Sequence, residues 1–325
     1  MNETIFFAIL ASGTLATWGS LAARAISGKP VLPLRPAREP ATWGPQHVVF
    51  AILSVLLFQV IAHTLFITLR PLPDDIAELS LVEQAKLQLA ISFASLFAAL
   101  ISLWFITLTT PSRTADLEIG IRPLLAGIVI GLIGFFCFAT PSYILSMLLQ
   151  PLDPRIHPVV KTLQESKDMQ FFAYSCISVI ILSPLYEEII CRRILQGWLQ
   201  AVFARQGSGN DTLPSERVLL QIQDGETEDE FKLRVKDSLQ RADILDDPSD
   251  PPPPRPTCWA SILLSSFFFA ILHLGAGWAS VISLFLFAIG LGLVYQRTGR
   301  LVPCIVMHMA LNAFTMLMLY LKIAG

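Results

Sequence analysis

Eight stretches of this chain are apolar for long enough to cross a bilayer, and no other feature narrows its fold so far. They lie near 4–23, 47–69, 87–109, 123–149, 170–186, 258–275, 279–296 and 301–321. Crossing about 30 Å of hydrocarbon takes about 20 residues of helix. Inside lipid every backbone N–H and C=O must be satisfied internally, which a helix does by itself. The expected fold is therefore all-α, a polytopic transmembrane helix bundle of about eight spans with a cytoplasmic insert. Composition agrees: 54% of the 325 residues are hydrophobic and only 15% are charged, too little polar surface for a water-soluble chain. The first stretch has Glu3 and no Lys or Arg before it, so it lacks the basic start of a cleaved signal and reads as a retained span. A net charge of −2 with no basic patch gives nucleic acid no footing. The five cysteines are scattered, with no C-x-x-C pair, which argues against a disulfide framework or a cysteine zinc site.

The basic residues near span ends set the expected orientation. Arg24, Lys29, Arg35 and Arg38 follow span 1, Arg113 and Arg122 follow span 3, Arg192 and Arg193 follow span 5, and Arg297 and Arg300 follow span 7. These loops share a side, expected to be the cytoplasm, with both termini outside and the cell (plasma) membrane as the expected location. Arg155, Lys161 and Lys167, after span 4, weaken the contrast. Residues 205–256 hold 12 of the 25 acidic and 7 of the 23 basic residues, so they read as a solvated insert. Within it, "TEDEFKLRVKDSLQRADIL" has capping-box and helical spacing, and "DDPSDPPPPRP" reads as extended linker. The insert is either a tether with a docked helix or a site for a protein partner. The expected divisions are N-terminal helices over 1–168, catalytic-type helices over 169–204 and 257–325, and the insert over 205–256.

Three spans carry polar groups that lipid does not satisfy. In "SPLYEEIICRR", Glu188 and Arg192 stand at i,i+4 and can pair, which leaves Glu187 unpaired by local sequence. An acid or base at a helix centre costs about 2.5–3.5 kcal/mol on insertion scales. The stretch reads either as a charged helix end at the interface or as a carboxylate poised as a general base. Pro184, one turn earlier, marks a kink or break. In "FFFAILHLGAG", His273 shares a face with Phe269 and reads either as a satisfied bundle residue or as a ligand. In "VPCIVMHMALNAF", His308 and Asn312 stand at i,i+4 and read either as an interhelical clamp or as part of a site. His47, His63 and His157 have no such companions and are expected to be structural. Polar groups on three spans point to one shared cavity, and a carboxylate, two imidazoles and an amide suit hydrolysis.

On these residues the chain resembles the CAAX protease and bacteriocin-processing (CPBP, or Abi) family of intramembrane proteases. The motifs are "EEIICR" (187–192), "FAILH" (269–273) and "HMALN" (308–312), with Gly290, Gly292, Thr298 and Gly299 between the last two. The resemblance covers about 170–320 and departs from the family at Arg193, where many relatives have glycine, and in the length of the insert. It implies an intramembrane endopeptidase acting near the cytoplasmic face on a peptide or membrane-protein substrate. Glu187 would activate water and His273 would help hold it. Glu188 and Arg192 would shape the site, and His308 and Asn312 would stabilise the oxyanion. Alternatively His273, His308 and Glu187 would hold zinc, although no H-E-x-x-H is present. The other readings are an idle membrane adaptor or bacteriocin-immunity-type protein on the same fold, and a proton-coupled transporter.

Overall fold

In a computed structural model, residues 3–28, 41–69, 79–110, 121–153, 155, 158–207 and 258–324 are described. Every regular element among them is helical. The helices are α1 (Glu3–Ile26), α2 (Pro45–Thr68), α3 (Leu81–Thr109), α4 (Ile121–Leu149) and α5 (Pro158–Ser166). They continue with α6 (Met169–Ala204), α7 (Trp259–Ile271), α8 (Trp278–Thr298) and α9 (Leu301–Ala324). The insert helix and the proline linker expected within 205–256 lie outside the described residues, as does His157.

Six helices, α2, α3, α4, α6, α8 and α9, are long and apolar enough to cross a membrane, so the protein is an integral membrane protein. They correspond to the expected second, third, fourth, fifth, seventh and eighth spans. The first expected span forms α1, a 24-residue helix tied to α4 where Thr14 meets Thr140 at 2.6 Å. The sixth, expected over 258–275, forms only the 13-residue α7. At 1.5 Å per residue it is about 20 Å long, short of the hydrocarbon thickness.

Contacts between helices collect the basic loop ends at one end of the bundle. The Trp43 indole, just before α2, donates to the carbonyl of Ile194 at 3.0 Å. His47 Nε2 meets Thr109 Oγ1 at 2.9 Å, which brings the end of α3 to the start of α2. Leu301 packs on the cluster formed by Trp43, Ile189 and Ile194. A methyl placed on Gly127 would lie 2.8 Å from Val302, so α4 begins beside the start of α9. At the opposite end, Ala85, Leu163, Phe171, Met316 and Leu319 form a second cluster, and Asp153 reaches the start of α8. Between the ends, α4 packs along α8 and α9 through Phe135, Ala139, Phe287, Leu291, Met307 and Leu311.

The α6 helix is not uniform. Two segments, Ile177–Leu182 and Ile189–Gln196, are π-helical, and the α-helical turn Ser183–Glu188 lies between them. Ser183 N–H donates to Ser178 and Gly197 N–H to Arg192, each five residues back. Pro184 explains the first widening, since it has no N–H for the carbonyl of Ile180 and its ring crowds that position in a regular helix. A wide turn relieves the clash, and such turns recur at functional sites.

Candidate active site

The turn between the two π segments carries both glutamates, and they have different surroundings. Glu188 and Arg192 are fully buried. Arg192 Nε donates to Glu188 Oε2 at 3.1 Å. The other carboxylate oxygen, Oε1, accepts from His308 Nδ1 at 2.9 Å. Because a carboxylate only accepts, this contact puts a proton on His308 Nδ1 and aims Nε2 the other way. Arg192 also donates to Ser265 Oγ at 3.3 Å. Ser265 in turn donates to Gln196 Oε1, and Gln196 donates to the carbonyl of Gly292 at 2.9 Å. The guanidinium lies 5.5 Å from the Phe269 ring, a distance that suits cation–π attraction.

Glu187 faces the open part of the site. Its Oε1 accepts from Ser183 Oγ. Its Oε2 is buried and has no protein hydrogen-bond partner. That oxygen lies 3.9 Å from His308 Nε2 and 4.0 Å from His273 Nε2. His273 Nδ1 is 3.0 Å from the carbonyl of Phe269. A carbonyl also only accepts, so Nδ1 carries a proton and Nε2 faces Glu187. Three polar atoms from α6, α9 and the turn after α7 thus converge, with the Phe269 ring 4.9 Å from the His273 ring, tilted, and 5.4 Å from the His308 ring, edge-on.

Of the residues singled out in the sequence, Glu187, Glu188, Arg192, His273 and His308 come together through these contacts. Asn312 lies one turn beyond His308, and its amide donates to the carbonyl of Val179 at 2.7 Å, inside the first π segment. Ser183, Gln196 and Ser265 were missed, and Gly292 was noted only as part of the glycine pattern between the second and third motifs. Two of them had a signal: Ser183 is four residues before Glu187, and Gln196 extends the four-residue stripe through Glu188 and Arg192. Gly292 has a steric reason to be small, because a methyl there would meet Ile262 at 3.0 Å and Gln196 at 3.2 Å.

The donor chemistry of Glu187, His273 and His308 matches zinc, but the spacing does not. Donors around a tetrahedral zinc with bonds of about 2.0–2.1 Å stand about 3.3 Å apart, against 3.9 and 4.0 Å here. Among the described residues no group of three or more His, Cys, Asp or Glu is arranged to hold a metal ion.

No curated protein and no solved structure matches the chain. Residues 249–314 match the family model described as type II CAAX prenyl endopeptidase Rce1-like. That stretch holds "FAILH" and "HMALN" and stops short of "EEIICR". The match agrees with the CAAX protease and bacteriocin-processing family that all three motifs resemble.

Proposed function

We propose that this chain is a CAAX-type intramembrane endopeptidase in which Glu187 activates the attacking water. The observation that carries this reading is the buried, unpartnered Glu187 Oε2 facing two imidazole Nε2 atoms at 3.9 and 4.0 Å. Groups that far apart can each hydrogen-bond one water at about 2.8 Å. Ser183 occupies Oε1, which leaves Oε2 for the water. The water donates one hydrogen to Glu187 Oε2 and the other to Nε2 of a neutral His273, so its lone pair is free to attack the scissile carbonyl. As the O–C bond forms, Glu187 takes the proton. As the C–N bond breaks, Glu187 returns it to the leaving amine.

His308 serves the oxyanion. With Nδ1–H held by Glu188, a second proton on Nε2 makes it a donor to the charge that develops on the carbonyl oxygen. Glu188 and Arg192 beneath it, both fully buried, supply compensating charge. Asn312 commits one amide hydrogen to Val179, and the other is left to assist at the oxyanion. Glu188 precedes Arg193 of the basic end by five residues on α6, while His273 comes from the turn before α8, so the site lies between the two faces with its glutamate side toward the basic end. The positive-inside reading makes that end cytoplasmic. Substrates would be C-terminal peptides, prenylated or not, presented from the bilayer.

The test is mass-spectrometric detection of products from prenylated and unprenylated peptides offered to the purified protein in bilayer discs. Glu187→Gln is expected to lower turnover about 10²–10⁴-fold with folding unchanged. Cleavage is expected to persist in chelator. Full activity in Glu187→Gln would sink the water-activation role, and chelator-sensitive cleavage restored by zinc would replace it with metal chemistry. No cleavage of any peptide would favour the idle-adaptor reading.

A further inference from the structure

The turn that presents His273 is fastened from outside the site. His273 follows α7 by two residues and caps a short 3-10 turn, Leu274–Ala276, that leads to Gly277 and α8. Inside the turn, Ala276 N–H donates to the carbonyl of His273 at 2.9 Å, and Gly277 N–H to that of Leu274 at 3.0 Å. Gly277 has φ +97°, a conformation that side chains other than glycine's rarely allow. It also stands at the N-cap of α8, where a Ser, Thr, Asp or Asn side chain would ordinarily accept a free helix N–H. Glycine has no such side chain.

Asp153 supplies the missing acceptor from the other end of α4. It is 5% exposed, and its Oδ2 accepts the N–H of Ala279 at 3.3 Å. A methyl on Gly277 would lie 2.6 Å from that same oxygen, so the carboxylate is seated against the turn. Arg155 completes a two-pronged pair, with Nε donating to Oδ1 at 2.7 Å and Nη2 to Oδ2 at 2.9 Å. The backbone N–H of Asp153 is itself held by the carbonyls of Leu149 and Gln150. A negative group at the start of α8 is also favoured by the helix dipole.

We propose that Asp153 is a positioning residue, which sets the distance between His273 and Glu187 by clasping the 273–277 turn. The short α7 gives this clasp its importance: 13 residues do not anchor the turn by spanning the membrane, and His273 reaches Glu187 through its Nε2. This inference rests on the reading of Glu187 and His273 as a reaction centre. The Arg155 guanidinium and the Ala279 N–H hold the Asp153 carboxyl down to about 2, so it is ionised throughout the working range. The folded value is the lowered one. The clasp is therefore complete above the ordinary carboxylate value near 4, and it is lost only as pH falls through about 2.

The experiment compares Asp153→Ala and Asp153→Asn in the full chain in bilayer discs, each with and without His273→Ala. Asp153→Ala is expected to lower kcat about 10- to 100-fold with KM within about twofold, the scale of a small misplacement of a reacting group. Asp153→Asn keeps an acceptor for Ala279 and is expected to recover most of that loss. With His273 already replaced, Asp153→Ala is expected to cost nothing more. Equal losses in both backgrounds, or a raised KM with unchanged kcat, would overturn the proposal. A second readout does not depend on catalysis. The chain has five histidines, and the His273 resonance of histidine-labelled protein is the one absent from His273→Ala. It is expected to shift in Asp153→Ala and return in Asp153→Asn, with that of His47 unmoved. An unmoved His273 resonance overturns the clasp whether or not Glu187 proves to be the base. If Asp153→Ala fails to fold, Asp153→Asn and Arg155→Gln carry the same resonance measurement, with Arg155→Gln expected to give the smaller shift.

Discussion

Glu188 sits fully buried between a guanidinium and an imidazole. Arg192 and Glu188 are both fully buried, so their value lies in staying together. Removing one partner of such a pair leaves an uncompensated charge, at a cost of about 3–5 kcal/mol, whereas replacing both by neutral groups is often tolerated. Arg192→Met is accordingly expected to destabilise the protein by about that amount in detergent unfolding. Adding Glu188→Gln should restore most of the loss. Activity should not return, because His308 then faces an amide in place of a carboxylate and loses the partner that balances its charge. Recovery of both stability and turnover in the double variant would reduce the Glu188–Arg192 pair to scaffolding. The pairing of Glu188 with Arg192 was legible as four-residue spacing. The approach of His308 was not, since 120 residues separate it from Glu188 and only the packing of α9 on α6 brings them together. Ser265 left no pattern either, because a buried serine resembles an ordinary helix-packing residue until its neighbours are known.

The widened turns of α6 raise the question of what replaces the hydrogen bonds they disturb. In each π segment a side chain from another element supplies one: Asn312 donates to Val179 in the first and Trp43 to Ile194 in the second. Trp43 also lies 5.0 Å from the Arg193 guanidinium, and a methyl on Gly197 would come within 2.8 Å of its ring. Arg193, the departure from the family pattern, therefore has a stacking partner. Ile194 is fully buried. Trp43→Phe keeps an aromatic ring but removes the N–H, so that carbonyl keeps only the Gly197 N–H, and the change is expected to cost about 0.5–1.5 kcal/mol. Amide exchange across 189–197 should speed up with it. Unchanged exchange there would mean that the π turn holds by itself. Pro184 made a break in this helix legible in the sequence. The second π segment was not legible, because it depends on a tryptophan about 150 residues away and on no local residue that disfavours an α-turn.

At the scale of the whole molecule, hydrophobic run length located the helices but overstated what one of them can do. Residues 258–275 read as a span by composition, yet the helix ends at Ile271, where Leu272, His273 and the glycines of "HLGAG" turn the chain. Apolarity reports burial in lipid or protein without reporting where a helix stops. The basic loop ends do gather, since Trp43, Ile194 and Leu301 pack in one cluster and so draw three of them together. α8, with 21 residues, is long enough to cross. Its end, with Arg297, lies at the basic end, so its start and the 273–277 turn belong to the opposite face despite the shortness of α7. Gly275 offers a probe, because it is exposed and a side chain added there meets nothing within 4 Å. In sealed vesicles, Gly275→Cys is expected to react with a membrane-impermeant maleimide from one face and Ser249→Cys, in the insert, from the other, each measured against the unsubstituted chain. Labelling of both from the same face would mean that α7 and α8 form a re-entrant hairpin. It would also move the turn that carries His273 to the side where the glutamates of α6 approach the basic end.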